Sequence, residues 1–552
     1  MTTPDTPSAP PTMSHTLRSA GVTSIGTFTS RLLGLGRDVA MASFFGAGAA
    51  VDAFFMAFMI PNLFRALFGE GALSQIAIPA LARVKETRPH TDAERLVSIL
   101  MGILVLILAA ITVIGCAGIW VAEPEWFGFE GDTAKWEQFR RYFTVLFPLV
   151  LCFCVAALQT GVLNTWGRFA VPSLMSALQN VLWISAIAFA VTLFPEKPIE
   201  ERLSIVCAGI LLGGLAQVAV QWQSMRNLGF HVRPRVTFRD ENVREVGRAV
   251  LPVLLASGVT QINLLLGMVM AEWLVEGDGA VAAYGYANRF YQFPLGIVSI
   301  AMGTAIFPML ARYASRGEHE KVTGGLLNGI RLLMFIALPA TAGLLILNDA
   351  IITSVYMRGE FSANDAMRSG RVLLFLSMGL PVVSASIILL RGFHAIGERR
   401  TPMRVALASV VVSFVTNYLL VQTTLEEAGI AAGALIASCF NLAALALILR
   451  RRLKGTLIES ARLDSIPVSD RLAQPMSRTM VREFTGSLLR AGALSGAMAA
   501  GVWGALKALP PVERGDLQGI ATTLGAVGIG MAVYAVLSVL FARNEIRELL
   551  RR

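Results

Sequence analysis

The chain has 552 residues, 55% of them hydrophobic and 15% charged, with a mean hydropathy of +0.63. That balance excludes an ordinary soluble protein and defines an all-α polytopic membrane protein. The net charge of +10 would suit nucleic acid in a soluble chain. Here the basic residues gather between apolar runs, as in cytoplasmic loops, so the charge reports topology and nucleic acid is not a partner.

Residues 1–16 are rich in Pro, Thr and Ser and read as a disordered tail. Two polar spans follow within Ser30–Arg83, then Leu96–Val121, Tyr142–Gly167, Phe169–Phe194 and Leu203–Met225. Next come Ala249–Ala271, Val281–Ala311, Val322–Leu347, Val372–Leu390, Val405–Leu425 and Ala428–Leu449, and after a charged linker Ala491–Leu506 and Leu517–Ala542. At about 20 apolar residues per span, the chain holds about fourteen transmembrane helices. They group as an N-terminal lobe (17–226), a C-terminal lobe (227–452), a cytoplasmic linker (453–490) and a last helix pair (491–552).

The loops alternate in charge. Arg83, Lys85, Arg88 and Arg95, then Arg168, then Arg226–Arg248, then Arg312, Arg316 and Lys321, then Arg399, Arg400 and Arg404 form one set. Glu123–Asp132, Glu196–Glu201, Glu272–Asp278 and Glu426–Glu427 form the other. The positive-inside rule makes the basic set cytoplasmic and puts both termini on that side of the cytoplasmic membrane. The segment Asp349–Arg371 breaks the alternation, because it falls outside yet carries Arg358, Arg368 and Arg371.

The two lobes repeat one another. IAIPALAR (Ile76–Arg83) matches AIFPMLAR (Ala305–Arg312), an offset of 229 from Pro79 to Pro308, and GRFAVP (Gly167–Pro172) faces GERRTP (Gly397–Pro402) at 230. A duplicated lobe is the usual plan of transporters that bind substrate near the bilayer midplane.

Ionised residues inside apolar helices cost roughly 2.5–3.5 kcal/mol each, so they mark function by default. Helical spacing sorts them into stripes: Ser24, Thr27, Arg31, Gly34 and Asp38 in the first span; Asn62, Arg65, Gly69 and Ala72 in the second. The eighth carries Gly285, Arg289, Gln292, Gly296, Ser299 and Gly303. Surplus guanidinium suits an anion, above all a phosphate gripped bidentately. The competing reading is structural: ion pairs such as Arg37 with Asp38 or Asp52, with Arg83, Arg168 and Arg312 simply lying at cytoplasmic helix ends. Cys116, Cys152, Cys154, Cys207 and Cys439 lie in apolar runs without a CxxC pair or a nearby histidine cluster, so no metal site is expected. No GxxxxGK[ST] loop and no acid–base or nucleophile constellation is present, so neither an enzyme, an ATPase nor a cofactor is expected.

SRLLGLGRD (Ser30–Asp38), FGAGAAVDAFFMAF (Phe45–Phe58), IPNLFRALFGEGALSQ (Ile60–Gln75), GVLNTWGRFAVP (Gly161–Pro172), YANRFYQFPLGIVSIAMGT (Tyr286–Thr304) and the GERRTP element resemble the bacterial lipid II flippases, the MurJ/MviN family. The resemblance implies the multidrug/oligosaccharidyl-lipid/polysaccharide exporter fold, two six-helix lobes in a V around a cationic cavity, with the last two helices adding a groove for a lipid tail. It implies movement of lipid II, the undecaprenyl-diphosphate-linked disaccharide peptide of peptidoglycan synthesis, from the inner to the outer leaflet by alternating access. On the matching motifs, substrate binding falls to Arg31, Arg37, Arg65 and Arg289 with Asp38, Asp52 and Glu70, beside Asn62 and Gln292 of the stripes. Membrane lipids are the other partners implied, and the linker offers a place for other cell-wall synthesis proteins. The chain departs from the family's DRxxEFP-like run, with Asn288 and Gln292 at the acidic positions, and the seventh and eleventh spans carry no acid within them. An exporter of another polyprenyl-diphosphate-linked glycan, or of drugs, in the same superfamily is the alternative.

Overall fold

The computed structural model describes residues 13–129, 131–237, 239, 244, 247, 261, 263, 265–296, 300–463, 478–543, 545 and 547. The expected tail up to residue 12, most of the expected span from Ala249, the central linker (464–477), Arg248, Arg551 and Arg552 lie outside them. Among the described residues the chain is helical, with no strand. Ten helices are long and apolar enough to cross a membrane, as expected of a multi-pass membrane protein. A helix pairs most of its backbone polar groups within its own segment, which is what a bilayer demands.

Contacts divide the chain into two compact units. Unit 1 runs to Phe44 and resumes over Ala53–Gln261; unit 2 takes Phe45–Asp52 and everything from Ile262.

Unit 1 begins with α1 (Met13–Phe45) and α2 (Ala49–Phe64), which passes through a π-helical turn (Arg65–Ala72) into α3 (Leu73–Thr87). Then come α4 (His90–Gly118), α5 (Thr133–Leu146), α6 (Leu149–Thr165), α7 (Ala170–Leu193) and α8 (Ile199–Arg226). Leu81 of α3, Val97 of α4 and Leu158, Val162 and Leu163 of α6 form its core. Helices α7 and α8 approach closely because Gly209 leaves room for Ala186. Where Gln179 and Gln217 enter this contact, each amide finds a partner: Gln217 donates to Gln179 at 2.6 Å, and Gln179 donates to the Ile210 carbonyl at 3.0 Å.

Unit 2 contains α9 (Leu265–Leu274), α10 (Ala280–Pro294), α11 (Ile300–Ser315), α12 (His319–Tyr356), α13 (Ala363–Ala395), α14 (Arg400–Val421) and α15 (Glu427–Leu463). The expected eighth span takes in α10 and α11, with residues 297–299 between them outside the described residues. Ile306, Leu310, Leu333, Ile388 and Phe393 make the core of α11, α12 and α13. The last pair, α16 (Arg478–Ala508) and α17 (Leu517–Phe541), packs on α12 through Leu347, Met498, Val502 and Ala526. Its other face leaves Leu524, Met531, Val536 and Phe541 exposed, an apolar surface suited to lipid tails.

The loop that breaks the charge alternation is explained by local bonding. Arg368 holds Glu427 through a double hydrogen bond of 2.9 and 3.1 Å and donates to the Asp278 carbonyl at 2.6 Å, while Glu427 is 1% exposed. Arg371 donates to the Thr424 carbonyl at 2.5 Å and Arg358 to the Ser354 carbonyl at 2.8 Å. Arg368 and Arg371 thus staple helix ends together within unit 2, whereas Arg358 bonds back to the end of its own helix. At the opposite helix ends, the Glu398 carboxyl accepts the backbone N–H groups of Thr401 and Arg400, and the Thr401 bond foremost holds it below the usual carboxylate range.

Candidate functional site

In unit 1, Arg37 and Asp38 sit where α1, α2 and α7 meet. Arg37 is boxed on three sides. Its Nε and Nη2 donate to Asp38 Oδ1 at 2.9 and 2.7 Å, its Nη1 donates to Asn180 Oδ1 at 2.9 Å, and its guanidinium lies 4.4 Å from the Trp183 ring centre. Asn180 is oriented by donating from its other end to the Ser30 carbonyl at 3.0 Å. Trp183 is held edge-on by Phe54 and Phe58, at 5.7 and 5.1 Å. With its Nε–Nη2 edge on a carboxylate, its Nη1 on an amide and its face on an indole, Arg37 forms the partly buried ion pair with Asp38 that the structural reading of the sequence expects. Arg31 stands half-buried on the same helix.

Arg65 opens the π-helical turn and donates from Nε to Asn62 Oδ1 at 3.0 Å. The turn has a cause close by: Pro61 lies inside α2 without an N–H to give, and single π turns of this kind recur at functional sites. The Glu70 side chain lies outside the described residues, as do those of Ser24, Gly69, Ala72 and Ser299 in the expected stripes.

In unit 2 the segment Phe45–Asp52 docks against the start of α10. Asp52 is 1% exposed, and its carboxylate accepts the backbone N–H groups of Gly279 at 2.6 Å and Ala282 at 2.8 Å. A carboxylate supplied from elsewhere in the chain thus caps α10 and meets the positive end of its dipole. The Tyr286 hydroxyl adds a bond to the Gly46 carbonyl at 3.1 Å. Gly46 can take its left-handed turn (φ 70°) beside the Glu360 carbonyl only because it has no Cβ. Arg289 lies two helical turns along α10 from the capped end and is half-buried, whereas Asn288 is buried and Gln292 exposed.

Sequence reasoning missed Asn180, Trp183, Arg368 and the capping role of Asp52. The first had a readable signal, since Gln179-Asn180 interrupts an otherwise apolar run; the cap had none, because its donors are backbone groups far along the chain. Among the described residues no cluster of His, Cys, Asp or Glu could hold a metal ion.

Comparison with known structures gives the class first. A lipid II flippase MurJ in an inward closed conformation superposes with a TM-score of 0.73 over 95% of this chain and 99% of that one, at 21% identity. An inward-facing multidrug resistance MATE family transporter of the MOP superfamily superposes with a TM-score of 0.65 over 79% of this chain and 98% of its own, at 18% identity. The fold is that of the MOP transporters. The sequence model described as lipid II flippase MurJ matches residues 41–467. A probable lipid II flippase MurJ from Rhizobium tropici is 33% identical over 431 residues, 77% of this chain and 79% of the relative. One from Haemophilus influenzae is 32% identical over 409 residues, 71% and 78%. The chain belongs to the lipid II flippase MurJ family.

The cap is directly testable. Asp52→Ala strands two buried N–H groups, at a cost of about 1–3 kcal/mol, and should lower the thermal unfolding midpoint of the detergent-solubilised protein, with Asp52→Asn falling in between. An unchanged midpoint for the alanine variant would contradict the assignment.

Proposed function

We propose that this chain moves lipid II from the inner to the outer leaflet of the cytoplasmic membrane by alternating access, without an ATPase. The observation that carries this reading is the family match over residues 41–467, which spans Asp52, Asn62, Arg65, Glu70, Arg289 and Gln292. Arg31, Arg37 and Asp38 precede the matched range, and their assignment rests on the resemblance of the SRLLGLGRD motif. In this account Arg31, Arg37, Arg65 and Arg289 grip the diphosphate of the head group. Asp38, Asp52, Glu70, Asn62 and Gln292 orient them or contact the sugar and peptide. The exposed apolar faces of α16 and α17 accept the polyprenyl tail.

Complementation of a flippase-depleted strain, with lipid II exposure at the outer leaflet as the readout, tests the recognition step. Arg31→Ala, Arg65→Ala and Arg289→Ala should each abolish rescue, and lysine at the same positions should restore it poorly, because an ammonium cannot form the planar fork. Arg312→Ala, at a helix end, should be tolerated. Full activity of all three lysine variants would show that generic positive charge suffices.

Both termini lie in the cytoplasm on this reading, as the loop charges argue. Cysteines placed at the exposed positions Glu125 and Thr424 should react with an impermeant reagent in intact cells, and one at Arg239 should not. Labelling at Arg239 from outside would reverse the orientation.

Energy coupling follows from charge. A diphosphate head carries about two negative charges, and each is worth roughly 2.3 kcal/mol per 100 mV of membrane potential. Export from a negative interior is therefore favoured, and unloaded arginines are drawn back by the same field. With Asn288 and Gln292 in place of acids, transport should depend on membrane potential and not on a sodium gradient. Flipping measured with each gradient collapsed in turn checks this; an absolute sodium requirement would overturn it.

A further inference from the structure

The internal repeat extends to the helix ends and sets up the same space twice. In unit 1, α6 closes at Gly167 (φ 75°), where the Arg168 N–H donates to the Leu163 carbonyl at 2.8 Å. In unit 2, α13 closes at Gly397 (φ 75°), where the Glu398 N–H donates to the Phe393 carbonyl at 3.0 Å. His90 opens α4 and His319 opens α12, an offset of 229 residues.

In unit 1 the space is filled by the chain itself. After α8 the chain turns at Gly229 (φ 84°), and Phe230 inserts its ring 4.6 Å from His90 and 4.9 Å from Trp166, leaving it 1% exposed. The segment is then pinned on α4, with the Arg233 N–H donating to Ser98 Oγ at 3.2 Å and the Arg235 N–H to the Ser98 carbonyl at 3.1 Å. Lys85 completes the closure, donating to the Thr165 carbonyl at 2.9 Å beside the Trp166 ring.

In unit 2 the equivalents of Lys85 and Trp166 are Ala314 and Ile396, both smaller. Helix α15 continues to Leu463, beyond the level at which α8 ends, so among the described residues no turn there delivers a side chain. What remains is an open cavity of about 490 Å³ lined by residues that include Ala314, Ser315, His319, Ile396, Glu398 and Arg452. The Nδ1 of His319 is buried with no hydrogen-bond partner among the described residues. Exposed Arg316, Lys321, Arg399, Arg400 and Arg452 lie in or beside the lining segments in sequence and outnumber Glu318, Glu320 and Glu398, with Lys321 paired to Glu318 at 3.2 Å and Arg452 to Glu398 at 3.9 Å.

We propose that this cavity is a docking site for an extended, acidic segment of a partner polypeptide that inserts one aromatic side chain against His319. The anchor is argued from Phe230, which occupies the equivalent space in unit 1, and the acidity from the basic rim. This inference does not depend on the identity of the transported lipid. An extended segment supplies backbone groups as well as the anchor, as the Phe230 segment does, and one buried aromatic can carry most of the affinity of such a contact.

The probe is a fluorescein-labelled heptapeptide with a central phenylalanine flanked by acidic residues, titrated into the purified full-length protein at low ionic strength and followed by anisotropy. Saturable binding is expected, weakened roughly tenfold or more when alanine replaces the phenylalanine, lost in Ala314→Trp, and weakened in Arg452→Glu. Arg452 is an exposed position, so that variant keeps the test valid should Ala314→Trp fail to fold. Equal affinity for the alanine peptide would reduce the site to a charged surface, and undiminished binding to Arg452→Glu would remove the rim from the account. A photo-crosslinker at Ala314 that joins residues of the same chain would make the cavity an intramolecular contact. Each of these results overturns the proposal.

Discussion

An ionised side chain in an apolar helix has to be matched where it stands, because neither lipid nor a packed core solvates it. Much of the polar architecture of this protein answers that requirement. Arg37 is matched by Asp38, Asn180 and the Trp183 face; Arg368 by Glu427 and a carbonyl; Asp52 by the free N–H groups of a helix start. Removing one member of such a set leaves the other buried and uncompensated, which costs far more than the set contributes when intact.

Some backbone irregularities fall beside candidate residues, although α12 and α13 also carry internal prolines, Pro339 and Pro381. Pro61 precedes the π turn that carries Arg65, and Pro294 follows Arg289 by little more than one turn. Pro79 and Pro308 occupy matching places in α3 and α11. A helix that lacks one hydrogen bond can bend there and expose a carbonyl, which suits segments that handle substrate better than segments that only span. The long regular helices α4, α7 and α8 lack such breaks.

The all-helical fold and its duplication were legible because apolar runs of spanning length and a repeated IPALAR-like motif are strong local patterns. The arginines within apolar runs were conspicuous for the same reason: charge in an apolar run stands out at once. Three things could not be read. Asp52 as the cap of α10 depends on donors more than two hundred residues away that carry no side-chain signature. The Arg368–Glu427 pair joins residues 59 positions apart, and a loop's charge does not say which acid its arginine will bind. The contrast between the filled and the open interhelical space rests on Lys85 and Trp166 against Ala314 and Ile396, and volume differences at two positions mean nothing until the helices around them are known.

The central claim is that fixed guanidinium groups select a diphosphate-linked lipid. The most direct measurement is competition between lipid II and the same lipid carrying a monophosphate linkage for binding to the purified protein, read by native mass spectrometry. Clear preference for the diphosphate, reduced when Asn180→Leu releases Arg37, is the result this account predicts. Equal retention of the two lipids by the unaltered protein would contradict it.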